Sequence, residues 1–157
     1  MKALLSLMII SFATTGLFAQ DEKSNPIENA INAKEYSFKA RTMMPATGSV
    51  RQLTSSYDFT INHDSAISYL PYFGRAYVAP IGKSENALDF TSTKFSYKAT
   101  KGKKGGWTIE IRPKDAGDIE LVSINVSKNG YGTLYVTSRN RQGISYSGKI
   151  EPLKSKT

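Results

Sequence analysis

The chain has 157 residues, with 21 Lys and Arg against 13 Asp and Glu for a formal net charge of +8, one His and no Cys. Roughly 100–200 residues make one domain, so one is expected. The missing Cys excludes a disulfide scaffold, a thiolate nucleophile, an iron–sulfur cluster, a Cys-ligated zinc site and a lipobox anchor, and the single His excludes a multi-histidine metal centre.

Met1-Lys2 is a short basic start, residues 3–18 are uncharged and rich in Leu, Ile, Met and Phe, and Ala19-Gln20-Asp21 turns polar. This is the pattern of a secretory signal peptide, with cleavage expected after Ala19. The apolar run is shorter than the ~18–20 residues that cross a bilayer, and no later segment approaches it. The expectation is an exported, soluble protein of the periplasm or cell surface, with no transmembrane segment in the mature chain. Without residues 1–19 the net charge falls by Lys2 to +7 over 138 residues.

A polar leader (residues 20–25) precedes Pro26, and Ile27, Ala30, Ile31 and Ala33 then follow helical spacing, which predicts a capped helix of two to three turns ending near Lys34. From Glu35 the period becomes two. Tyr36, Phe38 and Ala40 alternate with Ser37, Lys39 and Arg41, and later Tyr57, Phe59 and Ile61 with Asp58, Thr60 and Asn62. Such alternation predicts strands with one face on a core and one in water. Residues 42–56 read as a long loop, part of it pairing as an edge.

The second half reads as five strands in an antiparallel meander. Phe95, Tyr97 and Ala99 lead into a Lys- and Gly-rich hairpin loop at residues 101–106, and Trp107, Ile109 and Ile111 follow. Ile119 and Leu121 have one parity and Val122, Ile124 and Val126 the other, so this strand carries a bulge near Leu121 or is buried on both faces. Asn129-Gly130 predicts a hairpin with a type I′ turn. Leu134 and Val136, then Ile144, Tyr146 and Ile150, complete the set. The fold expected is mainly β, an antiparallel meander of about seven to nine strands closing into a barrel or strongly curved sandwich, with one short N-terminal helix. A single β domain over residues 26–152 ends in a disordered tail at residues 153–157.

Catalysis finds little support. His63 has Asp64 beside it, but Asn62-His63-Asp64-Ser65 reads as a turn, and neighbouring strand residues point to opposite faces. Asp115, Asp118 and Glu120 concentrate three acids, yet Asp-Ala-Gly-Asp sits where a strand connection wants turn residues. The Gly-rich loop at 101–106 has strands on both sides, unlike a phosphate-cradling loop that opens a helix. No cofactor is called for, and export removes the protein from nucleic acid.

The run Leu70-Pro71-Tyr72-Phe73-Gly74-Arg75-Ala76-Tyr77 is different in kind. Taken with Lys104-Gly105-Gly106-Trp107, Ser127-Lys128-Asn129-Gly130-Tyr131-Gly132 and Arg141-Gln142-Gly143-Ile144-Ser145-Tyr146, it resembles an exported bacterial family, domain of unknown function 4251, over about residues 27–150. The resemblance implies one envelope domain and carries over no functional residue. Physically, Pro71 breaks a strand and Gly74 permits close approach or an unusual φ. Tyr72, Phe73 and Tyr77 surround Arg75 in sequence. This is either an internal corner, with Arg75 stacked on Tyr and bonded to carbonyls, or a pocket for a small amphipathic or anionic molecule with Arg139 and Arg141 at its rim. The expected function is a non-catalytic binding or structural module; a hydrolase of envelope polymers and a polyanion-binding surface protein are the alternatives.

Overall fold

The computed structural model describes residues 25–78 and 87–154. The expected signal peptide and most of the polar leader lie outside these residues, as do the last three positions of the expected tail. Helix α1 (Pro26–Ala33) is followed by β1 (Glu35–Pro45), β2 (Arg51–Asn62), β3 (Ser65–Pro71), β4 (Ala87–Ser92), β5 (Phe95–Lys101), β6 (Trp107–Pro113), β7 (Ile119–Val126), β8 (Tyr131–Ser138) and β9 (Ile144–Pro152). The strands form one antiparallel sheet in the order β4-β3-β2-β1-β9-β8-β7-β6-β5, nearly closed into a barrel. Two meanders, β1–β4 and β5–β9, are therefore joined by the pairing of β1 with β9.

The period-two residues fill the interior. Tyr36, Phe38, Phe59, Ile61, Ile109, Ile111, Val122, Ile124, Leu134, Tyr146 and Ile150 are all fully buried. No helix of the described residues is long and apolar enough to cross a membrane.

Two irregularities explain where the strands depart from expectation. Residues 42–56 do not form a long loop: Thr42 and Met43 pair with Gln52 and Arg51 on one side and with Ser147 and Tyr146 on the other. A bulge at Arg41 changes the strand's parity, so Met43 points inward where Thr42 would have continued the alternation. Against the two-residue step from Ala40 to Thr42, β2 advances five residues, from Tyr57 to Gln52, and residues 53–56 arch out of register. In β7 the register shifts between Ile119 and Leu121, the bulge that the change of parity demands.

Asn25 caps α1 by accepting from Ile27 N at 3.1 Å, while its Nδ2 donates to Lys128 O at 3.0 Å. Lys34 ends the helix in the left-handed region at φ 56°. Ile27 and Ile31 face the barrel, and the Tyr97 hydroxyl donates to Ile31 O. Burying each Ile contributes about 2 kcal/mol, more than the half-exposed Lys101–Glu28 ion pair, which at such sites is worth about 0–1 kcal/mol; packing holds the helix. The neighbouring hairpin is present, but its turn is not type I′. Only Gly130 has positive φ, at 85°, and Gly130 N bonds Ser127 O. This is a type I turn closed by a left-handed Gly, which leaves Asn129 in ordinary backbone space. A Cβ at Gly130 would also stand 3.0 Å from Ile27 Cδ1.

β4 and β5 are the two free edges, joined by Thr93 and Lys94 without a ladder between them. Asp115 secures this connection by accepting from Ser92 Oγ, Thr93 N and Thr93 Oγ1. The Ser92 hydrogen bond, then those from Thr93, hold its carboxyl below the usual carboxylate value. That contribution is complete above the ordinary carboxylate range and is lost as pH falls through the lowered value. Acidification below about pH 4 therefore moves the Thr93 amide resonance in NMR spectra, and Asp115→Asn produces the same displacement at neutral pH.

Two buried tyrosines make opposite contributions. The Tyr146 hydroxyl donates to Pro71 O at 2.6 Å, tying β9 to the end of β3. The Tyr36 hydroxyl is buried without a hydrogen bond of good geometry. Burial, with the Tyr97 hydroxyl nearby, pushes the Tyr36 phenol well above its usual value. Tyr146→Phe lowers unfolding free energy by about 1–2 kcal/mol, while Tyr36→Phe leaves it unchanged or raises it by up to about 1 kcal/mol; urea unfolding of both variants reads the contrast.

Candidate functional site

At Pro71 the chain leaves β3 and folds over its own Tyr72, which is 2% exposed. Gly74 is required by close approach, not by φ. A Cβ there would stand 2.6 Å from the Tyr72 hydroxyl oxygen and 2.8 Å from Cζ. The hydroxyl lies between Arg75 O at 3.1 Å and Gln142 O at 3.2 Å and shares its one proton between them. Residues 75–77 then zip onto the β8–β9 connection: Gln142 N donates to Arg75 O, Tyr77 N donates to Asn140 O at 2.7 Å, and Ala76 bridges Arg141. Arg75 N also donates to Gln142 Oε1.

The buried cation at this corner is Arg141, 6% exposed. Its guanidinium lies over the Tyr72 ring, 5.4 Å from the centroid. Nη1 donates to Ala87 O at 2.9 Å, and Nε stands 3.3 Å from Asp118 Oδ2. Asp118 also accepts a hydrogen bond from Ser138 Oγ at 2.7 Å. Burial raises the Tyr72 phenol above its usual value, and the Arg141 charge opposes the rise. Tyr146, more deeply buried, is raised further.

The sequence placed three rings around Arg75; the structure distributes them otherwise. Phe73 is partly exposed and lies under Arg51, 4.5 Å from guanidinium carbon to ring centroid. Tyr77 is exposed, and Arg75 is exposed, contributing its backbone. Arg139 and Arg141 diverge as well. Arg139 is exposed and pairs with Glu120 at 3.2 Å, whereas Arg141 turns inward. The corner reading thus describes the local geometry, with Arg141 in the part expected of Arg75. Arg51, which the sequence reading does not single out, joins the corner from the start of β2, and Gln142 from the β8–β9 connection.

Between β4 and the β6–β7 turn lies a cleft of about 200 Å³. Leu88, Phe90, Ala116 and Ile119 give it an apolar lining, and Asp89, Asp118 and Arg141 are its charged residues. The remaining chemical candidates are dispersed. His63 and Asp64 occupy the β2–β3 turn, with His63 Nδ1 3.0 Å from Glu35 Oε1 on an exposed surface. Asp115, Asp118 and Glu120 face three different partners, Ser92 with Thr93, Arg141 with Ser138, and Arg139. Among the described residues no cluster of three or more His, Asp and Glu is arranged to hold a metal ion.

A nearly closed antiparallel β barrel with one covering helix and a zipped corner beside its last two strands defines the structural class. The family model of DUF4251, a domain of unknown function, matches residues 19–150, and the chain belongs to that family. The barrel is similar to the crystal structure of a DUF4251 family protein from Bacteroides eggerthii DSM 20697, with TM-score 0.60 and 16% identity over 81% of this chain and 85% of that one. At that identity the likeness concerns the fold. No curated protein matches the chain.

The corner's two arginines should separate cleanly on substitution. Arg141→Met leaves Asp118 without its buried partner and costs about 3 kcal/mol of stability, whereas Arg75→Ala at an exposed position changes it by less than about 0.5 kcal/mol. Paired thermal unfolding curves check this.

Proposed function

We propose that the protein is an exported, non-catalytic binding module of the cell envelope, and that its ligand seat is the cleft between β4 and the β6–β7 turn. The observation that carries this reading is the combination of an apolar lining with one buried Arg141–Asp118 pair at the end of the same recess. Apolar walls with a few polar groups that fix orientation are the usual make-up of a small-molecule site. Export is supported by the uncharged run at residues 3–18 and the polar switch after Ala19.

Size limits the ligand. A recess of about 200 Å³ is smaller than the roughly 300–1,000 Å³ of drug-sized sites, so the occupant is a small amphipathic molecule or one end of a larger one. Its apolar part lies on Leu88 and Ile119 and its polar head meets the charged end, where Arg141 is already paired with Asp118. A non-catalytic role is supported by the dispersal of the carboxylates and by His63 standing on an exposed turn, paired with Glu35 at 3.0 Å.

Titration with 1-hexanol, a short-chain amphiphile, tests the proposal by NMR. Saturable shifts of the Leu88, Asp89 and Ile119 amides are expected, together with their loss in Ala116→Leu, which fills the recess while keeping the melting temperature within a few degrees. A flat titration of the folded protein, or shifts unaffected by the filling substitution, overturns the assignment. Measured turnover of an envelope polymer that His63→Ala abolishes would overturn the non-catalytic reading.

A further inference from the structure

Apolar side chains stand in water where two segments meet. The β1–β2 ladder ends at the Met43–Arg51 rung, and Met44 and Val50 flank the turn beyond it, both more than half exposed. The Arg51 guanidinium over the Phe73 ring joins this hairpin tip to the corner that follows β3. Phe73, Tyr77 and Val78 on that corner are 40%, 63% and 59% exposed. Their backbone is tethered, since Tyr77 N donates to Asn140 O and Ala76 bridges Arg141. The fold thus holds five apolar or aromatic side chains outward at fixed positions, the mark of a surface that something covers.

The charge among them has one sign. Arg51 and Arg75 are exposed, and among the described residues neither takes part in an ion pair. Residues 36–57 and 65–78 contain no Asp or Glu. The carboxylates that reach the β8–β9 connection, Asp118 and Glu120, are already paired with Arg141 and Arg139. The chain as a whole carries +8, so its long-range field also favours an anionic partner. A protein partner would need an apolar socket with acidic groups placed to match. An anionic bilayer supplies both layers at a fixed relative depth: phosphates for Arg, the headgroup level for Tyr, and the acyl boundary for Met and Val.

We propose that this patch docks the protein on an anionic phospholipid surface, with Met44, Val50, Tyr77 and Val78 entering the acyl boundary and Arg51 and Arg75 among the headgroup phosphates. The turn between Pro45 and Val50 is Ala46-Thr47-Gly48-Ser49, small and uncharged, so no charged group must be stripped of water as the tip enters. Two cations and a few apolar side chains give shallow, reversible docking rather than an anchor. None of the five exposed side chains lines the cleft beside β4, so this assignment and the ligand seat stand or fall separately.

Flotation with phosphatidylglycerol vesicles tests the docking. Binding is expected there and not on phosphatidylcholine, and it weakens severalfold as salt rises from about 0.05 to about 0.3 M. Val50→Ser with Tyr77→Ser reduces the apparent affinity about tenfold or more, and Arg75→Ala about fivefold. Ile67→Ser with Tyr131→Ser removes comparably exposed apolar side chains elsewhere on the barrel and preserves binding, as does Ala116→Leu in the cleft. Circular dichroism confirms that each variant folds. Brominated lipid quenches the emission of the Tyr77→Trp variant, whereas the native Trp107, which pairs with Lys101 and Val126 away from the patch, is spared in the parent protein. No binding to the anionic vesicles, equal weakening by the two double substitutions, or loss of binding in Ala116→Leu overturns the proposal. So does self-association in sedimentation velocity that Val50→Ser with Tyr77→Ser abolishes while vesicles stay unbound, which assigns the patch to a second copy of the chain.

Discussion

Strand β1 must satisfy two partners along its whole length, β2 on one side and β9 on the other, and the barrel exists because it does. Each flanking meander taken alone would leave an edge of unpaired backbone groups exposed to water and to other chains. Their union through β1 turns two curved sheets into one enclosure, in which the alternate side chains of nine strands share a core. The bulge at Arg41 is part of this solution. It increases the local twist where the sheet must curl, and it turns Met43 into the interior beside Tyr146. Closure by first and last strands also makes the contacts long in sequence, which gives a chain that lacks Cys a topological constraint without a cross-link.

The remaining seam, between β4 and β5, is managed by polar side chains rather than by a ladder. Asp115 holds the connection at Ser92 and Thr93, and Arg141 holds the other end of β4 through Ala87 O. A guanidinium this deeply buried is tolerated because its neighbours are in place: a carboxylate, a carbonyl oxygen and the face of Tyr72. The same contacts explain the compact corner at residues 72–77. Tyr72 is at once the surface on which Arg141 stacks and the donor to the chain that folds over it. Where the ladder stops, the space beside β4 becomes the apolar cleft.

Legibility in the sequence followed locality. The helix from Pro26, the β5–β9 meander, the change of parity near Leu121 and the hairpin at Asn129-Gly130 all rest on residues within one or two turns or strands of each other, and such periodicity survives into the fold. Residues 42–56 were misread because two bulges interrupt the alternation, and a strand whose parity changes midway looks like a loop to any period-two reading. The type I′ turn failed for a similar reason. Asn-Gly tolerates that turn, but α1 packs on Gly130, and a turn with one left-handed residue fits beneath Ile27. The corner was legible as a corner, from Pro71, Gly74 and the crowd of rings. Which arginine it encloses was not. Arg141 is some seventy residues away from Tyr72, and its inward direction is set by Asp118 and Ala87, with no trace in the local pattern.

Filling the barrel with side chains has a consequence for where chemistry can reside. An eight- or nine-stranded barrel either holds a ligand in its lumen or packs the lumen solid, and here Tyr36, Phe38, Phe59 and Tyr146 occupy the centre. Recognition then falls to the ends and the seam, where backbone pairing stops. At the seam the charges are mutually satisfied: Arg141 faces Asp118, Arg139 faces Glu120, and Asp115 faces Ser92 and Thr93. Around the β5–β6 hairpin the balance differs, because Lys103 and Lys104 are exposed beside an open groove without a carboxylate in its walls. Charges paired in this way stabilise the fold and have little left for a partner, while like charges gathered on one rim weaken the fold slightly and attract an anion from a Debye length away. The asymmetry between the two ends sets a small apolar recess with paired charges at one against an open, lysine-bearing surface at the other.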